Sequence, residues 1–262
     1  MMRALNTATT GLVSQQLNMD VVANNLANVN THGFKKARAD FQELLYQTLQ
    51  VAGTQTDLGT QEPTSLQVGL GVRPVATERI FTQGSLESTD NPLDMAVEGD
   101  GFFQVIQENG EVAYTRAGVF NRDSLGNVVT PDGLPLEPAI TIPDDTLNIT
   151  ISKTGVVSVL TGGSTTPTQV GQVQLARFAN PAGLNSLGDN LYATTPASGD
   201  AVVGIPGDTS FGTVAQGFLE GSNVNIAEEL VNMIVGQRAY EINSKAVQTA
   251  DEMLQMANNM RR

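Results

Sequence analysis

The 262 residues contain no cysteine and no tryptophan, and histidine occurs once, at His32. Without cysteine there is no disulfide framework, no thiol nucleophile and no thiolate-bound zinc. His32 sits among Asn30, Thr31 and Gly33, with no second ligand at metal spacing and no nucleophile and base around it, so it reads as a loop residue. Basic residues are scarce as well. Fourteen Lys and Arg against 27 Asp and Glu give a net charge of -13, the wrong sign for neutralising phosphates or anionic lipid, so neither nucleic acid nor a membrane surface is an expected partner. No apolar run approaches the ~18 residues of a spanning helix. The opening MMRALNTATTGLVSQQLN lacks the continuous apolar stretch of a cleaved secretory signal. Aromatics make up only 5% of the chain, which favours a core of small aliphatic side chains.

Two further chemistries fail on spacing. Gly69-Leu70-Gly71 and Gly99-Asp100-Gly101 do not continue into a dinucleotide or phosphate-loop pattern, and turns explain both. Residues 121–132 place Asn121, Asp123, Gly126 and Asp132 near the ligand positions of a calcium loop, but Leu125 takes a ligand position and the closing glutamate is missing. No catalytic constellation, cofactor site or metal site is expected. Two classes remain: a structural assembly subunit, and a β-rich binding module with helical arms.

The charge that is present is unevenly placed. Residues 1–45 and 225–262 are close to neutral, whereas 46–224 hold six basic and 19 acidic groups. Hydrophobic periodicity divides the chain at nearly the same points. Met1, Leu5, Ala8, Leu12, Gln15, Met19, Val22, Leu26 and Val29 are spaced alternately four and three apart, the seam of a heptad repeat with one polar interruption. Ile226, Leu230, Met233, Gln237, Tyr240, Ser244, Val247, Asp251 and Leu254 repeat that spacing, with Gln237, Ser244 and Asp251 as interruptions. Asn225 supplies a helix cap, Glu228 and Glu229 suit the positive helix end, and Arg261 and Arg262 suit the far end. Stripes this narrow require another helix as partner, so the two ends are expected to pair as a coiled-coil-like domain.

The middle reads as antiparallel β. Residues 102–107 and 111–116 flank Asn109-Gly110, which suggests a type I′ hairpin. Gly126-Asn127, Asp132-Gly133 and Thr154-Gly155 mark further turns, residues 147–151 alternate with Leu147, Ile149 and Ile151 on one face, and short strands are expected near 169–178 and 190–194. The Gln, Thr and Gly-rich stretch 47–71 reads as an extended loop or linker. The expected fold is therefore α+β, with helical segments at 1–45 and 217–262, an insert at 46–72 and a β-rich domain at 73–216.

Two long motifs then carry a family resemblance. ANNLANVNTHGFKK, residues 23–36, resembles the N-terminal signature of the bacterial flagellar rod and hook axial family through Asn24, Asn25, Leu26, Ala27, Asn28, Thr31, Gly33, Phe34 and Lys35. GFLEGSNVNIAEELVNMIVGQRAYEINSKAVQTADEML, residues 217–254, is similar to the paired C-terminal signature through Leu219, Glu220, Ser222, Asn223, Val224, Met233, Gln237, Arg238, Tyr240, Glu241 and Asn243. GDGFFQV, YTRAGVF and the turn SLGN are similar to the family's outer β domain. The stretch 66–103, with the insert before it and PAITIP at 138–143, resembles the distal rod members most closely.

The resemblance implies a structural subunit exported without a cleaved signal through the flagellar type III apparatus. It implies helical self-assembly into a hollow shaft that runs through the periplasm and passes torque from motor to hook. The implied partners are further copies of the chain, proximal rod proteins, the hook protein or hook-side axial proteins, and the surrounding P- and L-ring proteins. The terminal helices would line the tube, and the insert would stiffen the rod relative to the curved hook.

Overall fold

The computed structural model describes residues 2–53, 63–163 and 166–260. The expectations that fall on Met1, on the middle of the insert, and on Arg261 and Arg262 lie outside the described residues. The chain forms two compact units, one made of residues 1–27, 37–78 and 225–262 and the other of 28–36 and 79–224. These units divide the chain elsewhere than the expected 45/46, 72/73 and 216/217: residues 28–36 and 217–224 fall in the β-rich unit and residues 46–78 in the helical one.

In the first unit, helix α1 (Met2–Ala27) and helix α2 (Ile226–Asn259) are about 39 and 51 Å long at the usual rise per residue. The Asn225 side chain caps α2 by accepting from the backbone N–H groups of Ala227 and Glu228, with Glu228 and Glu229 in the first turn. The helices run antiparallel: Gly11 lies against Asn243, Gly236 against Met19, and Asn25 against Glu229. Four strands complete the unit, β1 (Ala37–Glu43), β2 (Tyr46–Gln50), β3 (Leu66–Gly69) and β4 (Val72–Arg79). β1 pairs with β4 and β2 with β3, and a bond from the Leu44 N–H to the Gly71 carbonyl joins the two ladders. The arms of the insert are therefore strands where composition suggested a loop. Gln and Thr are compatible with a ladder whose two faces are both solvated, and the cross-strand bonds satisfy the backbone.

The second unit is built on a seven-stranded antiparallel sheet. Its central strand, Phe102–Ile106, pairs along one edge with Val112–Thr115 and shares the other between Leu175–Arg177 and Leu136–Glu137. A three-stranded sheet of Thr146–Ile151, Val156–Thr161 and Thr168–Gln172 stands beside it in sequence. Strict alternation gives the large sheet two apolar faces. Phe103, Val105, Ala113 and Leu175 enter one cluster with Phe120, Leu136, Ile140, Val157 and Val159. Phe102, Tyr114, Ala176 and Tyr192 enter another with Phe178 and Phe81. The scarce aromatics are thus concentrated: Phe81, Phe102, Tyr114, Phe178 and Tyr192 meet edge to face at centroid distances of 4.8–6.1 Å.

Four hairpin turns share one construction. Gly110, Gly126, Gly133 and Gly155 each donate their N–H to the carbonyl three residues back, and each has φ between +75° and +86°. Asn109 does not share the positive φ; among the described residues the non-glycine exceptions are Asp189 and Asn190. The turn at 107–110 is accordingly a type I turn closed by a glycine bulge and not type I′, which would need Asn109 in the left-handed region too. The type I′ signature instead belongs to Asp189-Asn190, between the strands Asn185–Gly188 and Leu191–Ala193. Leu147 also departs from expectation, being 74% exposed while Ile151 is buried. A register shift between Thr146 and Asn148 takes Leu147 out of the ladder. We expect Gly110→Ala to cost about 1–2 kcal/mol, the cost of placing a Cβ in the left-handed region, because nothing lies within 4 Å of its added carbon. Gly126→Ala should cost more, since its added carbon would also meet the Ile142 carbonyl oxygen at 2.4 Å. Denaturant titration of the two variants checks the order.

Candidate functional site

The residues singled out by the two terminal motifs fall into two clusters, one in each unit. In the helical unit the buried centre is Asn25, 2% exposed. Its Nδ2 donates to the Ala37 carbonyl at 2.8 Å and to Glu229 Oε2 at 3.3 Å, and its Oδ1 accepts from the Ala37 N–H at 2.9 Å. One amide thus stitches the end of α1 to the start of β1 and to the first turn of α2. We expect Asn25→Ala to lower the stability of the helical unit by about 1–3 kcal/mol, the range for leaving buried partners unsatisfied. Asn25→Asp should lose more by setting a second carboxylate against Glu229, and thermal unfolding followed by helical circular dichroism reads both.

Along α1, the expected seam residues Leu5, Leu12, Met19 and Leu26 are half-buried and Val22 is buried. Along α2, Met233, Ser244, Val247 and Leu254 are half-buried, whereas Ile226, Leu230, Gln237, Tyr240 and Asp251 are exposed. The buried positions of α2 are Glu229, Gly236 and Ala250, with Asn243 half-buried against Gly11. Small side chains sit where the helices meet most closely; a Cβ added at Gly11 would lie 2.9 Å from Asn243 Nδ2. Arg238 and Glu241 are exposed. The large side chains Ile226, Leu230, Val231, Ile234, Val235 and Ile242 are 43–67% exposed. Three-and-four spacing does not distinguish the stripe that meets α1 from stripes left for other contacts.

The second cluster ties residues 28–36 to residues 217–224 inside the β-rich unit. Gly33, with φ +72°, donates its N–H to the Glu220 carbonyl at 2.7 Å. A Cβ there would lie 2.4 Å from the Ala117 nitrogen, so the close approach needs glycine. Phe34 is buried beneath the Arg79 guanidinium, 5.5 Å from its ring centroid, and Arg79 also donates to the Lys35 carbonyl. Lys35 is fully buried: its Nζ meets Glu220 Oε1 at 2.6 Å and the Thr82 carbonyl at 2.8 Å. Arg116, 3% exposed, approaches Glu220 Oε2 at 3.4 Å and donates to the Gly99 carbonyl at 2.7 Å, while its Nε finds no partner. Two cations therefore share one carboxylate out of water. Burial pulls Lys35 and Arg116 below their ordinary pKa values, and Glu220 opposes the shift in both. Burial likewise pushes Tyr192 up.

Asn223 closes the cluster. Its Oδ1 accepts from the Lys36 N–H at 2.7 Å, and its Nδ2 donates to the Ile80 carbonyl at 2.8 Å. Among the remaining motif residues, Thr31 donates to Asn28 Oδ1, the Ser222 hydroxyl accepts from the Val224 N–H, and Asn24 lies exposed on α1. His32 is half-buried, its carbonyl accepting from Asn190 Nδ2 at 3.2 Å and its Nδ1 making no hydrogen bond. It lines a cleft of about 280 Å³ with Asn30, Thr130, Asp132 and Asp189. Among the described residues no group of His, Asp and Glu has the arrangement of a metal site. Arg79 and Thr82 join the second cluster although the sequence showed them only within the stretch 66–103, Glu229 pairs with Asn25 although it read only as a helix-end charge, and Arg116 was visible only as part of YTRAGVF. The chemistry of both clusters is pairing: apart from Arg116 Nε, the buried donors named above face acceptors of the same chain, and the arrangement holds segments together.

Comparison with known proteins bears on the same segments. Residues 5–35 match the family described as flagella basal body rod protein, residues 96–159 the flagellar hook protein FlgE/F/G D1 domain, and residues 215–260 the flagellar basal body rod FlgEFG protein C-terminal region. The chain is 53% identical to the flagellar basal-body rod protein FlgG of Buchnera aphidicola from Acyrthosiphon pisum, over 96% of each chain. It is 51% identical to FlgG of Borreliella burgdorferi over the full length of both, and 38% identical to FlgG of Bacillus subtilis, again over the full length of both.

Proposed function

The chain belongs to the flagellar basal-body rod family and is a structural subunit of that rod, and from this premise we propose that it builds the distal rod by helical self-assembly. The terminal helices line the hollow shaft, and torque passes through it from motor to hook. Its neighbours in the assembly are further copies, proximal rod proteins and hook-side axial proteins, with the P and L rings around it. It reaches the periplasmic stretch of the basal body through the flagellar export apparatus without a cleaved signal.

The observation that supports this reading is the row of large apolar side chains that α2 leaves uncovered, Ile226, Leu230, Val231, Ile234, Val235 and Ile242. A monomer that kept them in water would forgo about 25 cal/mol for each Å² of apolar surface. Seams turned toward neighbouring copies recover it. Leu5, Leu12, Met19, Val22 and Leu26 of α1 and Met233, Tyr240, Val247 and Leu254 of α2 complete the seam, with Gln15, Gln237, Ser244 and Asp251 setting register. The insert, whose arms are β2 and β3, reaches across to adjacent copies and restrains bending. The acidity of residues 46–224 keeps the shaft from adhering to the rings.

The test is self-association of the purified chain. Straight filaments should form at high concentration and be seen by negative-stain microscopy. A chain that stays monomeric with fully ordered ends would overturn the reading in favour of a binding module.

A further inference from the structure

Four times the chain passes between the helical and β-rich units, at 27/28, 36/37, 78/79 and 224/225. Just inside the β-rich unit, three of these passages are bonded to one another in a closed ring. The Lys36 N–H donates to Asn223 Oδ1 at 2.7 Å, Asn223 Nδ2 donates to the Ile80 carbonyl at 2.8 Å, and the Ile80 N–H donates to the Lys36 carbonyl at 2.9 Å. Next to the ring in sequence stand Lys35, Thr82 and Glu220. Asn223 Nδ2 also reaches the Thr82 hydroxyl at 3.0 Å, so ring and ion group share a residue. Glu220 Oε1 receives both Lys35 Nζ at 2.6 Å and the Gly84 N–H at 3.0 Å.

We infer that this ring and the Lys35, Glu220 and Arg116 group behind it form a clamp that is complete in the free subunit, before any polymerisation. Each of the bonds named above joins residues within 28–36 and 79–224, so these bonds draw no partner from α1, α2 or a second copy. Its acceptors, the carbonyls of Val97, Gly99 and Thr82, are backbone positions held by the β fold itself. Three charges out of water, with side chains 0–3% exposed, are tolerated only while Glu220 faces both cations, which makes the clamp cooperative around that carboxylate. Segments 28–36 and 217–224 are thereby set before any assembly. Lys35, Asn223 and Glu220 are positioning residues, holding residues 28–36 against residues 217–224 within the β-rich unit. The inference relies on the rod reading only for what polymerises.

Hydrogen exchange with mass spectrometry on the full chain, kept below the concentration at which it associates, tests this. The amides of Gly33, Lys36, Ile80, Gly84 and Gly221 should be protected to the same degree as those of Phe102–Ile106. Asn223→Ala and Lys35→Met should speed exchange at Gly33, Lys36 and Ile80 by about tenfold or more, the 1.4 kcal/mol equivalent of one lost buried hydrogen bond, while Phe102–Ile106 stay protected. Fast exchange at the clamp amides of the wild-type monomer overturns the inference. So does unchanged protection in both variants. If clamp amides exchange fast and filaments still form, the clamp fails and the rod reading stands. If filaments never form and the clamp amides are protected, the rod reading fails and the clamp stands.

Discussion

Glu220→Gln should destabilise the β-rich unit by about 3–5 kcal/mol, the cost of removing one partner from a buried ionic group. Against a total stability of roughly 5–15 kcal/mol for a folded domain, this brings the unit close to unfolding. The reason lies in the charge count. Lys35 and Arg116 both face the Glu220 carboxylate, and among the described residues neither has a second carboxylate within ion-pair distance. Glutamine keeps an oxygen for Lys35 and for the Gly84 N–H but leaves two buried cations uncompensated. Lys35→Met should cost only about 1–2 kcal/mol, the worth of the hydrogen bonds lost, because the remaining Arg116 and Glu220 are balanced. Denaturant titration of the three proteins, read through the tyrosines of the aromatic cluster, gives the comparison. Equal losses in the two variants would show that hydrogen bonds to Thr82 and Gly84, and not charge balance, set the stability.

Leu230→Asp combined with Ile234→Asp should raise the concentration needed for filament formation by about 100-fold or more. The two positions are four apart on α2 and share one face, and they are 43% and 57% exposed in the subunit. Burying the remaining apolar surface of two such side chains contributes about 1.5–3 kcal/mol in all. That alone is worth about 10–100-fold at 1.4 kcal/mol for each factor of ten, and carboxylates brought into the seam add a desolvation cost. The subunit itself should unfold at nearly the wild-type denaturant concentration, since neither side chain is buried within it. Pelleting assays over a concentration series measure the effect, and an unchanged threshold would remove this face of α2 from the seam.

The two helices were legible because capping and periodicity are local. Asn225 accepts from the first N–H groups of α2 wherever the helix lies, and the four-and-three spacing of Leu5, Leu12, Met19 and Leu26 follows from 3.6 residues per turn. Turn positions were legible for a similar reason. Turn type at 107–110 was not, because Asn and Gly are compatible with two hairpin geometries and strand pairing on either side selects one. On α2 the apolar residues occupy more than one stripe, so the heptad through Ile226, Leu230 and Tyr240 and the contact face through Glu229, Gly236 and Ala250 are equally good helical patterns. The choice depends on the surface of α1, where close helix approach favours glycine and alanine over leucine.

By itself, then, the sequence determined what depends on neighbours a few residues away: two long terminal helices, a β-rich middle with glycine turns, the exclusion of thiol chemistry, and a pair of motifs whose likeness to flagellar rod proteins the comparisons bear out. The tertiary structure decided where charge is buried. Lys35, Arg116 and Glu220 are 185 positions apart at their extremes and would each read as solvated side chains, because burial of an ion is tolerable only when chain closure brings its counter-ion within about 3 Å, and no local pattern encodes that meeting. The same closure explains why residues 28–36 belong with the β strands although they follow directly on a helix.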